Sequence, residues 1–168
     1  HMNVFRISRH LMTGQFSIRR AFPEVALDRI EQAIKASEHS HDGEIVFAVE
    51  AALDLASLLK DKPARERAID VFSLLRVWDT EFNNGVLIYV LMADRDVEII
   101  ADRGIHAKVD QAGWENICQS MESAFHQGHF EQGLLTGIAA ITQQLQTFFP
   151  SSNRGRINEL PNKPVILK

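Results

Sequence analysis

Asn83-Asn-Gly-Val-Leu-Ile-Tyr-Val-Leu-Met-Ala-Asp-Arg-Asp-Val-Glu-Ile-Ile-Ala-Asp102 reads as a turn, a buried strand, a reversal and a returning strand. Val86 to Met92 is an unbroken apolar run, rich in β-branched and aromatic residues. It is too short for a helix and is bounded by turn formers, which argues a strand buried on both faces. Asn83, Asn84 and Gly85 supply the turn before it, because Asn and Gly tolerate positive φ. Ala93 to Asp96 reverses the chain, and Val97 to Ala101 returns antiparallel to the first strand. This reading leaves the Asp94–Asp96 turn as a plain reversal.

Working outward, Ile45 to Val49 is a second apolar strand. Between the two strands, Ala51 to Trp78 has helical spacing, broken at Lys60 to Pro63 because Pro cannot sit inside a helix without losing a hydrogen bond. Its second piece, Ala64 to Trp78, puts Ala68, Ile69, Phe72, Leu75 and Trp78 on one stripe and Arg65, Glu66, Arg67 and Asp70 on a solvated face. Strand, helix and strand make a βαβ unit with parallel strands and a right-handed crossover. Helical patterns flank it, from Pro23 to about Ser37, from the N-cap Asp110 to about His126, and from Phe130 to Phe148. The fold class expected is a small three-layer α/β/α domain over residues 23–149: the βαβ unit plus an antiparallel hairpin strand, with helices on both faces. Residues 3–22 are expected as a basic amphipathic arm and 150–168 as a loose tail.

A chain of 168 residues with 45% apolar content suffices for one buried core and is short for two. Its net charge of −4, without a basic stripe, gives no footprint for nucleic acid. Cys118 is the single cysteine, which excludes an intrachain disulfide and a cysteine-rich zinc site, and its spacing suits a packed thiol on a helix. With no apolar run near 18 residues and no secretory pattern, a cytoplasmic location is expected. The arm carries Arg6, Arg9, Arg19 and Arg20 among apolar residues, with no acidic residue before Glu24. It suits contact with anionic lipid, docking on a partner, or folding back on the core with its arginines solvated.

Chain direction sorts the polar residues. Both parallel strands start, and the antiparallel one finishes, at one edge of the sheet. That rim receives Glu38, His41, Glu44, Asp79, Glu81, Asn83, Asn84 and Asp102, with Asp110 opening the next helix. Carboxylates and amide oxygens are the ligands of a hard cation such as Ca²⁺ or Mg²⁺, so Asp79, Asp102, Asn83, Asn84, Glu44 and Asp110 are the candidate metal ligands. A metal held there could activate water against a phosphate ester. Alternatively, Asp79 and Asp110 are caps and the asparagines an ordinary turn. His39 and His41 form a weak transition-metal pair that would need further ligands. No phosphate-cradling glycine loop or nucleophile elbow accompanies the rim, and no catalytic residue is assigned.

At these residues the chain resembles the TPM domain family, whose members include a thylakoid acid-phosphatase-like protein and a photosystem II repair protein. The resemblance spans roughly residues 24–149. It rests on Gly43-Glu-Ile-Val46, Trp78, Asn84-Gly-Val-Leu87, Val97-Glu-Ile99, Gly104 and Gly128-His-Phe130 with Gly133-Leu134. It implies the α/β/α fold, divalent-cation binding, and weak acid-phosphatase activity in some members. It also implies an accessory role in membrane-protein maintenance, beside a membrane-associated partner such as a LemA-type protein, and so a place at the inner membrane face. Where the family favours glycine, this chain has Asp79-Thr-Glu81 and Asp102, which add charge at the rim.

Overall fold

In a computed structural model that describes residues 2–152 and 157–168, a four-stranded mixed sheet is flanked by helices on both faces. The strands are β1 (Glu44–Glu50), β2 (Gly85–Leu91), β3 (Asp96–Ala101) and β4 (Val165–Leu167), in the order β3-β2-β1-β4. β1 and β2 are parallel, with Glu44 opposite Gly85 and Glu50 opposite Leu91. β3 returns antiparallel to β2, with Val86 opposite Ala101. The α/β/α architecture is thus the one expected from the strand and helix patterns.

The two faces of the sheet make two cores. Ile45, Phe47, Val49, Val86, Ile88 and Val90 pack beneath α2 (Gln15–Ala21), α3 (Glu24–Ser37), α7 (Gln111–His126) and α8 (Phe130–Phe148). On that side Phe22 meets Phe47, Phe125 and Phe130 edge-on, with centroids 5.4, 6.3 and 5.9 Å apart. Val46, Ala48, Leu87, Tyr89 and Leu91 face α4 (Leu55–Leu59) and α5 (Ala64–Leu74) instead. Because both faces are covered, β1 and β2 need continuous apolar runs rather than alternation. Gly133 and Gly137 let α8 approach α7: a Cβ at Gly137 would press into the side chain of Met121.

The hairpin is tighter than the sequence suggests. β2 stops at Leu91, and a single 3-10 turn over Met92–Asp94 with Arg95 in the left-handed region (φ 50°) makes the reversal. Likewise α5 ends at Leu74 rather than Trp78, because Arg76 turns left-handed (φ 56°). The turn puts Val77 inside and leaves Trp78 half exposed, and Ile69 is half exposed because the buried side of α5 runs through Ala64, Ala68 and Val71, so neither belongs to the buried stripe expected. A short helix, α6 (Arg103–His106), interrupts the loop after β3.

Both ends of the chain are more structured than expected. Residues 165–167, read as part of a loose tail, pair parallel with β1, Ala48 opposite Val165 and Glu50 opposite Leu167. Residues 153–156 of that tail lie outside the described ones. The arm folds as two helices, α1 (Val4–Leu11) and α2, and its arginines are not all solvated. Arg6 is bound to Asp61 at 3.0 Å and to Asp94 at 3.1 Å, with only 11% of its side chain exposed. Arg67, assigned to a solvated face, instead grips Glu50 with two hydrogen bonds.

Candidate functional site

The rim is built by three loops held together through their backbones. The Glu44 amide donates to the Asn84 carbonyl at 3.2 Å, the Asp102 amide to Gly85 at 2.9 Å, and the Gly104 amide to Asn83 at 2.9 Å. Asn83 is left-handed (φ 51°), the conformation that Asn tolerates better than most residues. Gly85 and Gly104 are required by space: a Cβ on Gly85 would run into the Val77 carbonyl, and one on Gly104 into the carbonyls of Phe82 and Asn83. The glycine–asparagine pattern therefore sets how closely the starts of β1 and β2 approach the end of β3.

Asn84 and Asp102 bring polar atoms into this junction. Asn84 is fully buried; its amide donates to Thr80 Oγ1 and its Nδ2 to the Asp42 carbonyl, each at 3.1 Å. That fixes the side-chain amide and leaves Oδ1 buried without a hydrogen-bond partner. Asp102 caps α6 through Oδ1, which accepts from the Arg103 amide at 2.8 Å, while its Oδ2 is likewise buried and unpartnered. Buried acceptors are rarely left unsatisfied, because each such atom loses its water for nothing in return, at about 1–3 kcal/mol.

The remaining expected residues take varied positions. Glu44 is fully buried, its Oε1 accepting from the Glu159 amide at 2.9 Å. Glu38 accepts from Asn162 Nδ2 at 3.4 Å. Asn83 contributes its carbonyl to Gly104. Asp79 is exposed and paired with Arg76 at 2.9 Å, and Asp110 is the exposed N-cap of α7, accepting from the Gly113 amide at 2.9 Å. Glu81 is exposed, and its amide donates to Glu159 Oε2. His41 is buried, with Nε2 3.2 Å from Ser37 Oγ, whereas His39 is exposed. Among the described residues, no three His, Cys, Asp or Glu side chains are grouped to hold a metal ion. The junction therefore offers a carboxylate, a side-chain amide and peptide carbonyls, which are oxygen ligands of the kind Ca²⁺ and Mg²⁺ accept.

The C-terminal segment also closes over the rim, a role that its composition as a loose tail conceals. Glu159 bridges Glu44 and Glu81, Asn162 reaches Glu38, Leu160 is buried, and β4 then joins the sheet beside β1. Its signal was the short apolar run Val165-Ile-Leu167 after Pro164.

The sequence model of the TPM domain family matches residues 21–144, about three quarters of the chain and all three strands of the hairpin unit. The chain belongs to the TPM domain family. The solved NMR structure of BA42 protein, from the psychrophilic bacterium Bizionia argentinensis, is similar at 32% identity with a TM-score of 0.75. The similarity covers 85% of this chain and 93% of that one. No curated protein matches the chain. The junction of Asn83–Gly85 with Asp102–Gly104 lies within the TPM match, whereas the segment over Glu38 and Glu44 lies beyond it.

Two other polar clusters lie away from the rim. At the far end of β1, Glu50 receives Arg67 Nε and Nη2 at 2.9 and 3.0 Å and the Tyr89 hydroxyl at 2.7 Å. Burial, then the Glu50 charge, drives the Tyr89 phenol far above its usual range. Along β3, Glu98 and Glu122 line a groove of about 290 Å³ with Cys118, and Asp96 lies close enough to act on all three. Burial, then Asp96 and Glu98, pushes the Glu122 carboxyl up to about 7. Burial, then Glu98, pushes the Cys118 thiol up to about 12, which makes it a packed rather than a nucleophilic cysteine. No described helix is long and apolar enough to cross a membrane.

Proposed function

We propose that this TPM domain is an accessory module that binds a divalent cation, Ca²⁺ or Mg²⁺, or a small polar ligand at the rim, beside a membrane-associated partner. The observation that carries the reading is the pair of buried, unpartnered oxygens, Asn84 Oδ1 and Asp102 Oδ2, on two residues joined through the backbone: Asn84 precedes Gly85, whose carbonyl accepts the Asp102 amide. A ligand that gives both an electropositive partner removes two desolvation penalties at once. A hard cation suits them better than zinc, because both atoms are oxygens. Asp102 would be its carboxylate ligand, and Asn84 and peptide carbonyls its neutral ones. Asp79 is exposed in a pair with Arg76 and Asp110 is an exposed cap, so they would supply supporting charge, and ligation falls first to Asp102, whose cap uses only Oδ1 and leaves Oδ2 buried and unpartnered. The alternative, a metal-dependent acid phosphatase, would draw on the same Asp102 and needs a bound metal to activate water. The partner would be a membrane protein of the LemA type, which would keep the domain at the inner membrane face.

Calorimetric titration with CaCl₂ and MgCl₂ tests the binding reading. Asp102→Asn keeps the α6 cap oxygen and removes the charge, and is expected to weaken binding at least about tenfold. Hydrolysis of an aryl phosphate that depends on metal and is lost in Asp102→Asn would favour the phosphatase.

A further inference from the structure

The arm is inverted relative to an ordinary surface helix. On α1, Arg6, Ile7 and His10 face the protein. Arg6 is held by Asp61 and Asp94, and His10 Nε2 lies 2.8 Å from Asp94 Oδ1. His10 Nδ1 accepts the Leu53 amide at 3.0 Å, so the ring carries its proton on Nε2 and donates it to Asp94. These bonds fix the rotation of the helix. The opposite stripe is Val4, Phe5, Leu11 and Met12, positions that share a face at 3.6 residues per turn. They are 64, 86, 68 and 85% exposed. On α2, Phe16 is 65% exposed, with the Arg20 guanidinium 4.9 Å above its ring. Large apolar side chains held outward over two successive helices mark an interaction surface rather than scattered exposure.

We propose that this outward face of α1 and α2 inserts into anionic lipid bilayers. The proposal deepens the membrane-associated part of the function above by naming the contacting surface, and it is independent of the rim. Charge selects the occupant. The arm has no acidic residue before Glu24, and its solvent-facing charges are Arg19, Arg20 and the half-exposed Arg9. An apolar stripe whose solvent-facing charges on the same two helices are all arginines matches lipid chains below a layer of anionic headgroups. A second copy packed face to face about a two-fold axis would oppose arginine to arginine. Insertion differs from the purely electrostatic contact expected of a basic arm. Arg6 is committed to Asp61 and Asp94, so apolar burial supplies most of the attraction, and binding should survive salt that screens surface charge.

Flotation of the full chain with vesicles, at low and high salt, tests this. On vesicles of phosphatidylcholine and phosphatidylglycerol the chain is expected to float at both salt concentrations, and on pure phosphatidylcholine more weakly. Phe5→Asp with Met12→Asp should reduce flotation by roughly tenfold or more while leaving the melting temperature unchanged, since both side chains are exposed. Arg19→Glu with Arg20→Glu should abolish the preference for anionic lipid. Asp102→Asn, in contrast, should float like the unaltered chain, so that failure of the rim and failure of this face are separate results. A chain that stays at the bottom with anionic vesicles, or a Phe5/Met12 variant that floats equally well, overturns the proposal. So does sedimentation showing a dimer that the Phe5/Met12 substitutions dissolve.

Discussion

The Gly104 amide donates to the Asn83 carbonyl at 2.9 Å, and a Cβ added to Gly104 would stand 2.5 Å from that same oxygen. One contact thus joins the turn before β2 to the helix after β3, and it forbids a side chain there. Gly104→Ala gains about 1 kcal/mol of helix propensity in α6. It must also push apart rigid backbone, which costs about 1–3 kcal/mol. The clash is expected to win, giving a net loss of stability by denaturant titration together with weaker ligand binding at the rim.

Glu50 should be the most sensitive charged residue for stability. It is 6% exposed and holds both Arg67 and the Tyr89 hydroxyl. Glu50→Ala strands a guanidinium and a buried hydroxyl and is expected to cost about 3–5 kcal/mol. Tyr89→Phe removes one hydrogen bond to a carboxylate and is expected to cost about 1.5–3 kcal/mol. A double-mutant cycle by urea unfolding should show the two losses to be strongly non-additive.

Attachment of the arm should weaken in acid. Burial alone would raise the Asp94 carboxyl, but hydrogen bonds from Arg9 and His10, with the charge of Arg6, outweigh it and hold it below the usual value. A carboxylate depressed in the folded state stabilises above its unfolded pKa, and the contribution is lost as pH falls through the folded one. Limited proteolysis should therefore cut around Met12–Gly14 faster as pH drops below the usual carboxylate range. Asp94→Asn should show that susceptibility already at neutral pH.

The β3 groove has the opposite sign. Glu122 is raised from 4.5 to about 7, so the folded state keeps a proton that the unfolded chain releases. Stability should fall as pH rises between those values, and the whole penalty is present above about 7. Glu122→Gln is expected to raise the melting temperature at pH 8, to leave it unchanged at pH 4, and to flatten the profile between.

The apolar runs Ile45–Val49 and Val86–Met92 made the parallel pair legible, because strands buried on both faces must be apolar throughout. Chain direction then put Asn84 and Asp102 at the same rim without any contact being known. It could not say which oxygens would be left unpaired, since that depends on whether Asp79 turns to Arg76 and on which oxygen of Asp102 caps α6. The role of the segment around Glu159 is not legible in the sequence because its bonds to Glu44 and Glu81 join residues about eighty or more apart in the chain. The partners of Arg6 and Arg67 are hidden in the sequence for a related reason. Helical periodicity separates polar from apolar faces, but it does not reveal a buried carboxylate, such as Asp94 or Glu50, waiting under the polar one.

The most direct test of the rim is calorimetric titration of Ca²⁺ and Mg²⁺ into the full chain and into Asp102→Asn, Asn84→Ala and Asp79→Ala. The expected result is saturable binding of one ion, weakened at least about tenfold by Asp102→Asn and by Asn84→Ala but only slightly by Asp79→Ala. Binding that is absent with both ions, or equal in all four proteins, would contradict a cation site at Asn84 and Asp102.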